Sequence, residues 1–229
     1  MNNRAYYAAF ARTREELLLL QRVCYLLCTS LIVTAITASL SRDFSPGLGL
    51  PLFLGMLVCI FALSAAARVP VLNLVLFYTF SVLEGLVAGP ALAMIARYVP
   101  NGSQMISLAF CLTAATVGGV GTYVWATARD YSHWGRMLSI GLWVAIGVGL
   151  LAWFVPGMQS APIQLLYSVG IVVLFTGFLF YDFSNIRLHY RLDDYVIASI
   201  RLYLDFVNLF WAILRILMIL SGGGGRSRD

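Results

Sequence analysis

Seven long apolar segments, separated by short polar breaks, occupy most of the 229-residue chain. The breaks "SRDFSPG", "RVP", "YVPNGS", "RDYSHWGR" and "VPGMQSAP" contain the residue types that commonly end helices. About 20 apolar residues cross a bilayer as an α-helix, and each segment is near or above that length. The pattern therefore predicts transmembrane helices at 22–41, 48–67, 71–96, 104–128, 136–156, 162–186 and 194–220.

The two ends of the chain lie outside this pattern. Residues 1–21 are polar and contain several arginines, and we predict a cytoplasmic N-terminal segment that can form a short amphipathic helix on the membrane surface. Residues 221–229 are mainly glycine and polar residues and are predicted to be a flexible tail. Residues 22–220 then form one seven-helix domain, with no room for a soluble catalytic domain.

Composition supports an all-α integral membrane protein. Hydrophobic residues make up 61% of the chain and charged residues 11%, whereas soluble domains carry about a quarter charged residues. The net charge of +5 comes with no basic run between aromatic residues, so nucleic acid is not an expected partner. All 15 basic residues are arginine, and the absence of lysine excludes a retinal protein, which needs a lysine Schiff base.

The arginines also predict an orientation, because cytoplasmic loops are enriched in basic residues. With the N-terminus in the cytoplasm, ten arginines fall on the cytoplasmic side and five on the other. An odd number of spans then places the C-terminus outside.

Three acids lie inside predicted spans: Glu84, Asp182 and Asp205. Intramembrane acids face protein or water and are candidate functional residues. On the last helix, Asp205 shares a polar stripe with Arg201, Asn208 and Arg215, all within about 40° of a common line. Such a stripe belongs in the centre of a bundle or beside a water-filled cavity.

The break between the last two spans is short, so their helices are expected to be antiparallel neighbours. A turn centred between Asp193 and Asp194 would place Asp182 and Asp205 at one height, and a centre three residues earlier would offset them by about 9 Å. Two carboxylates in contact at low dielectric share a proton, and when deprotonated they offer oxygen ligands suited to Ca²⁺. Alternatively, each acid only bonds to an arginine or another polar group and holds the bundle together.

Other residues of the spans carry weaker signals. Glu84 shares a helix face with Asn73, Phe77 and Ser81, so Glu84, like Asn208, is a candidate for an ion pathway. "EGLVAGP" at 84–90 predicts close helix packing and a kink, and "VGGVG" at 117–121 predicts tight helix contact. Arg68 at a predicted helix end is either a topology residue or a latch that bridges an acid in a closed state.

The sequences "LYLDFVNLF" at 202–210, "ILRIL" at 213–217, "LFYD" at 179–182 and "FYTFSVLEGLVAGP" at 77–90 resemble those of the Bax inhibitor-1 (transmembrane BAX inhibitor motif) family. The resemblance implies six helices around a central seventh. Bacterial members look like pH-sensitive Ca²⁺-leak channels with a membrane-buried aspartate pair as the pH sensor, which matches Asp182 and Asp205. It also implies a latching arginine near the end of the second helix, for which Arg68 is the candidate.

The chain departs from the family pattern at two places. It reads "FSNI" after Asp182 where members often read "TQ-x-I", and it lacks the basic tail of eukaryotic members. The short, lysine-free chain looks bacterial, which favours the inner membrane.

We therefore expect a Ca²⁺-leak channel gated by protonation of Asp182 and Asp205, with Ca²⁺ as a permeant or bound ion and no cofactor. A proton-coupled cation exchanger and a non-transport membrane scaffold or regulator of stress responses remain alternatives. An enzyme is not expected: both histidines lie in predicted loops, and the "GxGD" motif of intramembrane aspartyl proteases is absent from the chain.

Overall fold

The computed structural model describes residues 3–44, 49–66 and 69–222, without the side chains of residues 3–13, 50, 64, 70 and 153. Within these ranges the chain forms seven α-helices and no strand: α1 (Asn3–Leu40), α2 (Gly49–Ala65), α3 (Pro70–Tyr98), α4 (Gly102–Thr127), α5 (Gly135–Phe154), α6 (Ala161–Leu188) and α7 (Tyr195–Leu220). Short 3-10 helices at Ser132–Trp134, Pro156–Gln159 and Leu192–Asp194 precede α5, α6 and α7.

The all-helical fold and the number of helices are as predicted, but α1 begins much earlier than the predicted first span. The predicted N-terminal segment and first span are one uninterrupted helix from Asn3 to Leu40. No glycine or proline interrupts this stretch, and polar side chains do not by themselves stop a helix. The buried side chain of Leu19 shows that the helix already packs before the predicted start of the span.

In the described part of the chain, six helical segments are long and apolar enough to cross a membrane: Arg14–Leu40, Val71–Tyr98, Gly102–Thr127, Ser132–Ala152, Ala161–Leu188 and Leu192–Leu220. The apolar part of α2, Pro51–Leu63, is shorter. Thirteen helical residues extend about 20 Å, less than the roughly 30 Å of a hydrocarbon core. The chain is thus an integral membrane protein with six clear candidate spans and a short α2.

The residues group into two compact units, and α3, α6 and α7 contribute to both. The first unit contains Met1–Met94 and Ile186–Tyr203, that is α1, α2, most of α3, the end of α6, the turn after it and the first part of α7. Its core includes Leu19 and Val23 of α1 and Phe77 and Phe80 of α3.

The second unit contains Ile95–Asn185 and Leu204–Asp229, with α4, α5, most of α6 and the second half of α7. Its helix α4 lies between two residues in the left-handed conformation, Asn101 before it and Ala128 after it. The amide of Ala128 donates to the carbonyl of Val124 at 3.0 Å, which satisfies one of the last helical carbonyls. Gly102 at the start of α4 lies against the backbone of Ile95, where a side chain has no room.

Candidate functional site

The candidate site in the second unit is built on the last turns of α6, where four consecutive residues from Asp182 to Asn185 are buried. A helix buried on every side at one level is covered by protein and not by lipid. Asp182 is 3% exposed, and it lies six residues before the end of α6, or about 9 Å inside the helix.

Neighbouring elements pack on the other faces of this part of α6. The ring of Phe183 lies directly against Gly121 of α4, and the ring of Tyr181 lies against Gly135 at the start of α5. Ser184 accepts a hydrogen bond from the amide of Tyr131 at 2.9 Å in the loop between α4 and α5. At 100° per residue, Asp182 is directed away from the face that carries Ser184.

The loop between α4 and α5 is held onto α6 by an aromatic cluster. The rings of Tyr123, Tyr131 and Trp134 surround Phe180, with centroid distances of 5.8, 5.2 and 6.1 Å. A hydrogen bond with Tyr123 raises the pKa of Tyr131. Tyr131 therefore stays neutral at physiological pH, and its contacts in this loop do not supply pH sensitivity.

The second acid, Asp205, is 4% exposed and lies ten residues after the start of α7, or about 15 Å inside the helix. Beside it, the buried ring of Phe206 packs edge-on against Phe110 of α4, with centroids 5.4 Å apart. Asn208 is half-buried, and its side-chain amide donates to the carbonyl of Leu204 at 2.8 Å in the same helix. The structure thus places Asp182, Asp205 and Asn208 in one unit, with both acids buried.

The polar stripe of α7 is buried at Asp205 and exposed at its two charged ends. The guanidinium of Arg201 lies 5.9 Å from the ring centroid of Tyr190, in the first unit. Arg215 donates to the side chain of Gln164 at 3.2 Å, in the second unit. An arginine near each end of a span can reach the interface while its stem stays in apolar surroundings.

The turn between α6 and α7 lies close to the earlier of the two centres considered from the sequence, the one that would offset Asp182 and Asp205 along the helix axes. Residues 189–191 form the turn, and Leu192–Asp194 form a 3-10 helix that leads into α7. The carboxylate of Asp194 accepts a hydrogen bond from the amide of Arg191 at 2.8 Å, which caps that short helix. The turn is therefore not centred between Asp193 and Asp194, and the contact between Asp182 and Asp205 stays a prediction.

Glu84 lies in the first unit and is 7% exposed. The predicted face of α3 is buried throughout, at Asn73, Phe77, Ser81 and Glu84. Glu84 interacts electrostatically with Tyr203, a fully buried residue of α7 that the sequence analysis did not select. The hydroxyl of Tyr203 lies 2.6 Å from Oγ1 of Thr34. The Thr34 hydroxyl also lies within hydrogen-bond distance of the carbonyl oxygen of Ser81, at 3.0 Å.

Small and hydroxyl-bearing residues allow α1 and α3 to approach closely in the first unit. Gly85 lies against Thr34 and Thr37, and Gly89 lies against Ala38 and Ser41, with no room for a side chain at either glycine. The predicted close packing at Gly85 and Gly89 is confirmed. In "VGGVG" only Gly121 makes a close contact, whereas Gly118 and Gly119 face open space.

The hydroxyl cluster of Thr34, Ser81 and Tyr203 was not predicted, although the sequence of α1 contains a pattern that indicates it. Hydroxyl residues recur along one face of α1, at Ser30, Thr34, Thr37 and Ser41. Such residues form hydrogen bonds between membrane helices, and the small-residue repeat of α3 marks their partner.

The described residues do not test two predicted roles, the latch at Arg68 and the binding of Ca²⁺ by Asp182 and Asp205. Arg68, the proposed latch, lies outside the described residues. In the described ranges, no group of three or more His, Cys, Asp or Glu side chains is placed to hold a metal ion. Stable Ca²⁺ sites take six to eight oxygen ligands, so Asp182 and Asp205 alone would hold Ca²⁺ only weakly.

Comparison with known proteins gives matches over most of the chain. Residues 17–222 match the family described as "Inhibitor of apoptosis-promoting Bax1". Protein lifeguard 4 of mouse is 29% identical over 91% of this chain and 88% of its own length. The Golgi anti-apoptotic protein of vaccinia virus is 31% identical over 92% and 89%, and an uncharacterized membrane protein of Vibrio cholerae is 30% identical over 93% and 95%.

Proposed function

Because the chain belongs to the Bax inhibitor/lifeguard family of membrane proteins, we propose that it forms a pH-sensitive calcium-leak channel gated by Asp182 and Asp205. The observation that carries the proposal is the burial of both carboxyl groups deep inside candidate membrane spans of one unit. Burying an ionised carboxylate costs several kcal/mol unless a proton or a cation neutralises it. Whether such a pair holds a proton or a cation therefore depends on the pH and on the cation concentration.

In this proposal α7 is the central helix of the bundle, with the other six around it. The support is local: Leu202, Tyr203, Asp205 and Phe206 of α7 are all buried. Glu84 and Asn208 are candidates for the ion pathway, and Arg68 is the candidate latch of the closed state. Ca²⁺ passes as a permeant ion, which needs weak binding at each site.

The test is Ca²⁺ influx into vesicles that contain the purified protein and a Ca²⁺-sensitive dye, measured from pH 5 to 8. Asp205→Asn keeps the size of the side chain and removes its titration, so we expect the influx to lose its pH dependence. Asp193→Asn is the matched control, because Asp193 is exposed in the turn region of the same helix pair, and its pH profile should equal that of the unmodified protein. An unchanged profile in Asp205→Asn would overturn the gating role.

The same vesicles separate the two alternative functions. A proton-coupled exchanger would move protons out as Ca²⁺ enters, and a pH-sensitive dye outside the vesicles would record them. A regulator without transport activity would give no influx above empty vesicles. The word "anti-apoptotic" in the name of the vaccinia virus relative is the reason for retaining the regulator as an alternative function.

We also propose that the protein lies in a bacterial inner membrane with its N-terminus in the cytoplasm and its C-terminus outside, because ten of its arginines fall on the N-terminal side of the membrane and five on the other. Alkaline phosphatase fused to the C-terminus should be active and a green fluorescent protein fused there should be dark. A fluorescent fusion without phosphatase activity would reverse the orientation.

A further inference from the structure

The loop between α4 and α5, residues 129–134, lies against the last turns of α6, and we call it the strap. It follows Ala128, whose backbone is left-handed with φ of 52°, and it ends where α5 begins. Within the strap, the carboxylate of Asp130 accepts a hydrogen bond from the amide of Ser132 at 2.8 Å. The strap and the part of α6 that it contacts both belong to the second unit.

The polar contact between the strap and α6 is made by Ser184, which is completely buried. Ser184 stands in "FSNI", the stretch after Asp182 at which the chain departs from the family pattern. Its hydroxyl accepts a hydrogen bond from the amide of Tyr131 at 2.9 Å and lies 3.4 Å from both the carbonyl oxygen of Arg129 and the carboxylate of Asp130. The one proton of the hydroxyl can be donated to either of these acceptors. A single side chain of α6 therefore holds the strap through two hydrogen bonds at a time.

The apolar contact is made by Phe180, about one helical turn before Ser184. Its ring centroid lies 5.2 Å from that of Tyr131 and 6.1 Å from that of Trp134. At 100° per residue, Phe180 and Ser184 lie within about 40° of each other, whereas Asp182 lies about 160° from each of them. The strap therefore packs on the side of α6 that is opposite to Asp182.

This geometry ties the position of Asp182 to the docking of the strap. Asp182 is 3% exposed, so its carboxyl group becomes accessible to ions and water when this part of α6 rotates or shifts. Either movement displaces Phe180 and Ser184, and a hydrogen bond is lost once its two heavy atoms are more than about 3.5 Å apart. The strap has little room to follow the movement, because Gly135 at its end lies directly against the ring of Tyr181.

We propose that Ser184 is a positioning residue for Asp182: through it the strap holds α6 in the closed arrangement that buries Asp182, and the strap is released when the protein opens. This inference rests on the proposed gating role of Asp182 and adds the element that restrains it. The coupling is reciprocal, so a change that weakens the docking of the strap favours opening, and a change at Asp182 alters the docking of the strap. The loss of one hydrogen bond shifts such an equilibrium by about fivefold.

The docking of the strap is measured without ion flux, by trypsin cleavage of the purified full-length protein in detergent at one pH. Arg129 is exposed in the strap, and cleavage after it requires local release of the strap from α6. Ser184→Ala should speed this cleavage about fivefold, because proteolysis follows the population of the released form. Ser139→Ala is the matched control, since the Ser139 hydroxyl donates to the carbonyl of Gly135 in its own helix, and its rate should equal that of the unmodified protein. An unchanged rate in Ser184→Ala would overturn the proposal.

The same assay tests the coupling between the strap and Asp182. Asp182→Asn removes a carboxyl group from the side of α6 that is opposite to the strap, so the rate of cleavage after Arg129 should differ from that of the unmodified protein. Asp193→Asn changes an exposed carboxylate and should leave the rate unchanged. An unchanged rate in Asp182→Asn would show that the strap is only a structural contact and would overturn the proposal. If Ser184→Ala does not fold, this comparison decides alone.

Ca²⁺ influx into dye-loaded vesicles then connects the strap to the leak. At the pH at which the unmodified protein leaks least, Ser184→Ala should leak about fivefold faster, and Ser139→Ala should leak at the unmodified rate. Faster cleavage of Ser184→Ala together with unchanged influx would overturn the proposal. No influx in the unmodified protein at any pH would contradict the calcium-leak proposal instead, and the cleavage rates would still decide whether the strap and Asp182 are coupled.

Discussion

At the residue scale, the buried polar side chains of the first unit bond to one another across helices. Oγ1 of Thr34 lies 3.0 Å from the carbonyl oxygen of Ser30 in its own helix and 3.0 Å from that of Ser81 on α3, so its one proton can be donated to either, and it lies 2.6 Å from the hydroxyl of Tyr203 on α7. The ring of Tyr203 also packs edge-on against Phe77 and Phe80. Tyr203 thus combines an apolar contact surface with one polar contact, as buried tyrosines usually do.

Tyr203→Phe should lower the free energy of unfolding by about 1 kcal/mol, because it removes one buried hydrogen bond and leaves the ring contacts in place. Thermal unfolding in detergent measures the change. Tyr98→Phe is the control, since Tyr98 is 79% exposed at the end of α3 and its removal should have no effect. Equal stability of Tyr203→Phe and the unmodified protein would show that the hydroxyl contributes nothing.

At the element scale, the contact between α1 and α3 depends on the absence of side chains at Gly85 and Gly89. Helices in a membrane gain no hydrophobic free energy by associating, so close backbone approach and hydrogen bonds supply the attraction. The hydroxyl of Ser41 donates to the carbonyl of Gly85 at 3.2 Å, which is possible only because α1 and α3 lie close together.

Gly85→Ala should destabilise the protein by about 1–3 kcal/mol, because the added methyl group meets the backbone of Thr34 and forces the helices apart. Gly118→Ala makes the same change in α4, where the structure leaves open space, and should be neutral or stabilising by up to about 1 kcal/mol. The difference between the two unfolding temperatures is the measurement. Similar behaviour of both variants would contradict the close packing at Gly85.

The helices were predictable from sequence where a break contains proline or glycine. Pro70 and Gly102 open α3 and α4 within two residues of the predicted starts. The start of α1 could not be predicted in the same way. Residues 3–21 are polar, which suggested that the span begins after them, but they contain no helix-breaking residue. The acids of the site were found from their unusual location in apolar segments. The hydrogen bond between Ser184 and the loop at Tyr131 could not be predicted from the sequence. Residues 53 apart in sequence become neighbours only through tertiary packing.

At the scale of the whole molecule, each of the two units buries acidic side chains within candidate membrane spans. The first unit contains Glu84 with its hydroxyl cluster, and the second contains Asp182 and Asp205. A stable fold does not require acids at these depths, since apolar residues would avoid their desolvation. Their presence is explained if protonation and cation binding at these residues are part of the function, which is the proposal for Asp182 and Asp205.

The central claim is that Asp182 and Asp205 act as one unit, and a double-mutant cycle on vesicle Ca²⁺ influx tests it most directly. Influx is measured from pH 5 to 8 for the unmodified protein, Asp182→Asn, Asp205→Asn and the double variant. If the two carboxyl groups share one protonation equilibrium, each single variant loses the pH dependence and the double variant changes nothing further. Independent, additive effects of the two substitutions, or a pH dependence that survives in the double variant, would contradict the account.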